Sequence, residues 1–467
     1  MRQKTLLFLL ALLTPFGVFV RFEFMLVGCV LCFLLFLASF IGGNFIQNYN
    51  LFIKNRFNFV LFTVLLLVLI SYLNPHAKLV KADGYYYLSA IKHIEWLPST
   101  ILGTNDRGSL CFVVLWLSVF YFFNATLINI DSRKNALFLA KSFVFIGVCS
   151  SLYIVFSTLE NTRSNITDFD KHLFGIIEGV GMSVTGSFFS RNAASQYTIL
   201  TLFVAIGFAL DSFKQTLIEQ RSIFVFIAYS LVCLIDVAAL CCCVQSQSLV
   251  GGALGIVVYV FGCFYILVKY GHNPAMLVFK GVVFAAVLIG FVYVSIFIAS
   301  PAVVYKLKSE TKAKIEKRIN PEKNENPISD RILIWDRGVE TFLKNKMWGV
   351  GANNFVYYSY DIYWSKQKSY NVDISYSTHS DFIQLLTEFG LFGGIYVFLA
   401  SIIGLGFVLK KSVDSTMKSV SLMGVFLVLL ISFFDCTFQL TNVVLVIFGI
   451  IAVIVSPAFK TNLPQGY

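Results

Sequence analysis

Apolar runs long enough to cross a bilayer recur along the whole 467-residue chain, and they constrain its fold more than any other feature. They lie near 5–20, 24–41, 57–73, 109–127, 136–156, 196–210, 223–243, 249–268, 277–299, 382–409, 419–434 and 440–457. A hydrocarbon core takes a helix of about 20 residues. Backbone groups in lipid must be satisfied within the segment, so runs of this length read as helices rather than strands. The sequence predicts an all-α polytopic membrane protein of about 12 transmembrane helices, a single multi-pass domain over 1–467.

Charged residues make up only 13% of the chain, against about 25% in an ordinary soluble domain. The net charge of +11 does not point to nucleic acid, because the basic residues gather in short connections. Alternate connections carry Arg2 and Lys4, Lys54 and Arg56, Arg133 and Lys134, Lys214 and Arg221, Lys269 and Lys280, Lys410, Lys411 and Lys418, and Lys460. The short connections of the other set are nearly bare, with Arg21 beside Glu23, Gln245 to Gln247, and the region around Asp435. By the positive-inside rule both termini are cytoplasmic, and the long loops 74–108, 157–195 and 300–380 face outward. Arg2, Lys4 and the run Leu6 to Leu13 resemble a signal peptide, but no small-x-small site follows, so they read as the first span.

The ten cysteines fall in or beside apolar runs, where a free thiol packs as a small hydrophobe. Cys29 and Cys32 have C-x-x-C spacing, yet inside a span that favours packing over redox or metal chemistry. Asp236 lies within the seventh span and should face the bundle interior with a partner. There is no Walker A loop, no G-x-S-x-G elbow, no H-E-x-x-H pair and no outward Cys/His cluster suited to a metal. No metal or cofactor is expected.

The longest polar stretch, 300–380 between the ninth and tenth spans, holds the residues most suited to chemistry. Its mixed-charge segment Lys306 to Lys323 reads as a solvated helix or arm. Arg331, Trp335 and Gly338 share one helix face at i, i+4, i+7, with Ser329 or Asp330 as its cap. The apolar residues of that helix suit a membrane surface. Arg331 presents a planar fork to a phosphate, or pairs with Asp330 or Asp336. His379 opens a membrane helix, whose N-terminus disfavours a cationic ring and favours a neutral base, with Asp381 or Glu388 to orient it. The alternative is a histidine that caps the helix. Arg191 stands where the sixth span begins, snorkelling to head groups or binding an anion.

Taken together, Gly186-x-Phe188-x-x-Arg191-Asn192, Arg331-x-x-x-Trp335, Gly349-Val350-Gly351-x-x-Asn354-Phe355, and His379-Ser380-Asp381 with Glu388-x-Gly390-Leu391-x-Gly393 resemble the O-antigen ligase / O-antigen polymerase superfamily. The likeness covers roughly residues 180–400, with the large loop 300–380 carrying part of the active site. It implies a metal-independent, inverting glycosyltransferase that moves a glycan from undecaprenyl diphosphate to an acceptor hydroxyl at the periplasmic face of the bacterial inner membrane. It further implies that Arg191 and Arg331 neutralise the diphosphate, that His379 is the base or positions the acceptor, and that Asn192, Trp335, Asn354 and Asp381 contact substrate. Gln247 departs from the pattern, since many relatives carry arginine there.

The acceptor could be lipid A–core (a ligase), another lipid-linked repeat (a polymerase) or a protein. A transporter of lipid or solute is the competing class, and it would place its ionisable residues near the bilayer midplane. Here they gather on the outer side.

Overall fold

The computed structural model describes residues 2–15, 22–41, 45–82, 85–102, 109–163, 188, 190–219, 222–243, 245–270, 327–358, 377–412 and 415–456. The chain begins with α1 (Arg2–Leu13), α2 (Phe22–Ile41), α3 (Phe45–Lys54) and α4 (Arg56–Leu73), then enters a small sheet of β1 (Pro75–Ala82), β2 (Tyr85–Ala90) and β3 (Thr100–Leu102). The bundle continues with α5 (Ser109–Asn129), α6 (Arg133–Arg163), α7 (Arg191–Ile218), α8 (Ile223–Cys243) and α9 (Ser246–Tyr270). After the long connection come α10 (Pro327–Lys344), α11 (Asp381–Ser412), α12 (Thr416–Ile431) and α13 (Thr441–Val455).

α7 is the pillar. It is buried without a break from Ala193 to Leu210, because α6, α8, α9, α12 and α13 all pack on it. A helix that is apolar all round needs such enclosure. Gly251, Gly255 and Gly262 let α9 approach so closely that an added Cβ would strike Ile199, Leu202 and Leu210 of the pillar. Small residues at membrane helix contacts serve this purpose. Asp236 is buried as expected, and its carboxylate accepts the Ser151 hydroxyl of α6 at 2.7 Å.

Among the described residues, six helices are long and apolar enough to span a membrane: α5, α6 as far as Ser157, α7, α8, α9 and α11 as far as Lys411. Met25–Ile41, Phe57–Leu73, Thr416–Ile431 and Thr441–Val455 are shorter apolar helices. The expected span 277–299 and the mixed-charge segment of the long loop lie outside the described residues. So does the end of the expected first span, beyond Pro15.

The all-α expectation needs correction. β1 pairs antiparallel with β2 and parallel with β3, giving the order β2-β1-β3. The signal was present: Ala82 pairs with Tyr85 across Asp83-Gly84, a dipeptide that favours a two-residue hairpin, flanked by Leu79-Val80 and Tyr85-Tyr86-Tyr87. The sheet holds the turn that follows α10. His76 on β1 bonds Ser99 at 3.0 Å and the Tyr358 hydroxyl at 2.7 Å. Burial first, and then neighbouring His93, push the His76 ring down to about 4, so it is neutral at pH 7.

The decisive local event is a break in α11. Gly390 has φ 66° and ψ −165°, conformations an L side chain resists, and it interrupts the helix in mid-span. In an unbroken helix Leu391 and Phe392 would donate to Thr387 and Glu388. Instead Leu391 donates to Lys346 at 2.7 Å and Phe392 to Met347 at 3.2 Å. The two freed carbonyls accept from the turn: Val350 N–H reaches Thr387 at 3.0 Å and Gly351 N–H reaches Glu388 at 2.8 Å. Four helical groups are thus satisfied by a turn from another part of the chain, as buried backbone requires.

The fit leaves no room for a side chain. A Cβ on Gly390 would lie 2.5 Å from the Gly349 nitrogen, and one on Gly351 2.5 Å from the Ser99 carbonyl. Beneath the turn, Asn354 donates to Thr100 at 2.7 Å and to the Val350 carbonyl at 3.0 Å, while Glu388 accepts from Gln384 at 2.5 Å and from Phe355 N–H at 3.4 Å. Gly390→Ala should lower the melting temperature of purified protein sharply, because positive φ alone costs about 1–3 kcal/mol. Gly406→Ala in the same helix meets nothing within 4 Å and should be neutral or stabilising. Equal melting temperatures for the two variants would show that the break does not matter.

Candidate active site

Two helices reach one end of the bundle by way of this interlock. α10 starts at Pro327, earlier than the cap expected at Ser329 or Asp330, and proline suits a first helical position. It lies along α11, with Ile334 and Thr341 buried and the Gly338 carbonyl accepting the Thr387 hydroxyl at 3.0 Å. At the head of α11 the Ser380 hydroxyl accepts Ile383 N–H at 3.4 Å, so serine caps the helix. His379 precedes it with φ 50° and is therefore free of capping duty.

Facing His379 is the short connection 432–440 between α12 and α13, on which the site converges. His379 Nδ1 lies 3.8 Å from Asp435 Oδ1, an ion-pair distance too long for a hydrogen bond. Asp435 Oδ1 also accepts the Cys436 N–H at 2.9 Å, and Oδ2 accepts the Gln196 side chain of α7 at 3.2 Å. Asp381 N–H donates to the Ser432 and Asp435 carbonyls at 2.8 and 3.2 Å, and its carboxylate accepts Phe438 N–H at 3.1 Å. Arg331 donates to the Phe434 carbonyl at 3.2 Å. One nine-residue connection therefore gathers α7, α10 and the head of α11.

Its electrostatics suit an ionised acid. Burial raises the Asp435 carboxyl, but His379 and the Cys436 N–H outweigh it and hold the group below the usual carboxylate range. Burial first, with Asp435 and Asp381 adding to it, pushes the Cys436 thiol up. Around these groups lie buried polar atoms with no partner among the described residues: His379 Nδ1, Gln196 Oε1, Trp335 Nε1 and the Thr437 hydroxyl. Orphaned polar atoms in this number are what an absent polar ligand or water leaves behind.

Residues 234–398 match the family model described as O-antigen ligase. Over these residues the match supports a likeness to the O-antigen ligase/polymerase superfamily. No curated protein matches the chain. The match to the O-antigen ligase family takes in Arg331, the glycine turn, His379 and Gly390, and supports a membrane glycan transferase of the ligase/polymerase type. Arg191 and Asp435 lie on either side of it.

The residues expected from the O-antigen ligase motifs separate into two groups. Arg331 is exposed, with no carboxylate partner among the described residues, so the alternative pairing with Asp336 is not formed, and the side chain of Asp330, the other alternative, lies outside the described residues. Trp335 leans toward Phe434, ring centroids 6.4 Å apart. Arg191 is the first residue of α7, capped by Ser190, and acts electrostatically on Cys243 at the end of α8. It sits one residue before Asn192 and five before Gln196, about 7.5 Å of helix rise from the residue that holds Asp435. Both Arg191 and Asn192 are half-buried. Asn354 is different: fully buried and hydrogen-bonded to Thr100 and Val350, it supports the turn and has little to offer a substrate.

Two expectations change. The carboxylate that faces His379 Nδ1 is Asp435, at 3.8 Å, while Asp381 accepts from Phe438 N–H and Glu388 from Gln384 and Phe355 N–H. The only sequence signal for it was a lone acid in a short outer connection between two apolar spans. Gln196 carried no signal beyond a polar residue early in a span. Finally, His379, Asp435 and Cys436 bring their ligand atoms within 4.8 Å of one another, so the described residues do hold a Cys/His/Asp cluster. For Asp435→Asn, which keeps size but loses charge, transfer should fall about 10²-fold or more with membrane insertion intact. Wild-type turnover in that variant would remove Asp435 from the mechanism.

Proposed function

We propose that the chain transfers a glycan from undecaprenyl diphosphate to an acceptor hydroxyl at the periplasmic face of the bacterial inner membrane, and that the acceptor is lipid A–core. The observation that carries the chemistry is the approach of His379 to Asp435 on the connection whose Phe434 carbonyl Arg331 grips. The family match supplies the reaction class.

A proton on His379 Nδ1 directed at Asp435 leaves Nε2 as the base on the partly exposed side of the ring, the tautomer logic of an imidazole held by a carboxylate. The acceptor oxygen attacks the anomeric carbon, its proton passes to Nε2, and the bond to the diphosphate oxygen breaks. Direct attack inverts the anomeric centre. Arg331 and Arg191 neutralise the departing diphosphate, where fixed positive charge is worth more than in water. Asn192, Trp335 and Asp381 line the approach, Asp381 by fixing the head of α11 against Phe438 N–H. In this reading both termini are cytoplasmic, and the donor's polyprenyl tail enters from the membrane.

His379→Ala should cut transfer about 10²–10⁴-fold while leaving insertion intact, and Arg331→Lys should be severely impaired, because a point charge cannot reproduce a bidentate fork. In a strain lacking the chain, bare core with accumulated lipid-linked polymer supports the ligase. Core bearing a single repeat would make it a polymerase, and an unchanged ladder with a protein losing its glycan would move the acceptor to protein. A normal ladder with no glycan lost anywhere would favour the transporter class.

A further inference from the structure

The trio at the head of α11 offers more than proton transfer. Cys436 Sγ lies 3.6 Å from Asp435 Oδ1, and His379 Nδ1 lies 3.8 Å from the same oxygen. All three ligand atoms fall within 4.8 Å of one another. A tetrahedral zinc ion with bonds of about 2.0–2.3 Å holds its donors roughly 3.3–3.7 Å apart. Two edges of that triangle already stand near this spacing, and the third needs a side-chain adjustment of about 1 Å.

Two further observations point to a ligand. His379 Nδ1 is shut away from solvent with no hydrogen-bond partner among the described residues, so one of the three donors is idle there. Beside the trio, Gln196 Oε1 and the Thr437 hydroxyl are likewise buried without a hydrogen-bond partner among the described residues, and Gln196 itself donates to Asp435. The His379 ring itself is partly exposed, which brings the trio close to the surface.

We infer that His379, Asp435 and Cys436 form a site for a zinc-class divalent cation. A nitrogen, oxygen and sulfur donor set suits a borderline-soft ion and not magnesium or calcium, which take oxygen. On binding, the Cys436 S–H bond breaks, the sulfur bonds to the ion and the proton leaves to solvent. Because the ion occupies His379, it inhibits glycan transfer; this consequence rests on His379 being the base.

The probe is cobalt(II), titrated into the full chain in detergent and followed by its sulfur-to-metal absorption in the near ultraviolet. One equivalent should give that band, zinc should displace it, and excess magnesium should not. Cys436→Ser should lose the band, and His379→Gln should bind at least ten-fold more weakly. The same stoichiometry and band in wild type and Cys436→Ser would overturn the site, since other cysteines would then be responsible. In the transfer assay zinc should inhibit wild type and spare Cys436→Ser. If the cobalt band behaves as stated but zinc leaves transfer untouched, the site stands and the role of His379 as base falls.

Discussion

Everything at the active end of this molecule depends on an exchange of backbone hydrogen bonds. Gly390 breaks α11, and the carbonyls and N–H groups released there are taken up by residues 346–351. A broken helix inside a membrane is tolerated only where its freed groups find partners in protein. Here the partners come from the turn that ends α10, so the same four bonds fix the depth of α10 against α11. That interlock carries Arg331 toward the bundle end at which His379 stands.

From that frame the site is completed by a connection contributing little of its own regular structure. Residues 432–440 hold Asp381 by backbone and side-chain bonds, take Arg331 on the Phe434 carbonyl, and present Asp435 to both His379 and Gln196. Asp435 stays charged because those partners outweigh its burial. A histidine whose one nitrogen faces a buried carboxylate, and whose edge reaches solvent, is set up either to move a proton or to hold an ion. The two uses exclude each other, so under the proposed function and metal site an ion bound there would block proton transfer.

Much of this was legible in the sequence, for different reasons in different places. Spans such as 223–243 announce themselves by hydropathy alone, and α8 occupies that range. The glycine motifs Gly349-Val350-Gly351 and Gly390 were visible as motifs, but a linear string cannot show that the two are halves of one hydrogen-bonded device. The sheet was masked by the apolar context around it, although Asp83-Gly84 carried the hairpin signal. Arg331 and His379 stand out because charged and titratable residues are rare in this chain. Asp435 was read only as part of a nearly bare connection, since its role arises from a contact 56 residues away in sequence. Asn354 shows the opposite case: a polar residue in a glycine turn reads as substrate-binding, and the fold places its bonds to Thr100 and Val350 beneath the turn.

The most direct test of His379 and Asp435 as one functional unit is a double-mutant cycle on in vitro glycan transfer, using His379→Ala, Asp435→Ala and the pair together. Residues that act through each other are strongly non-additive. The double variant should then be no slower than His379→Ala alone. Losses that multiply across the two positions would mean the carboxylate and the imidazole act separately, and the mechanism built on their contact would be wrong.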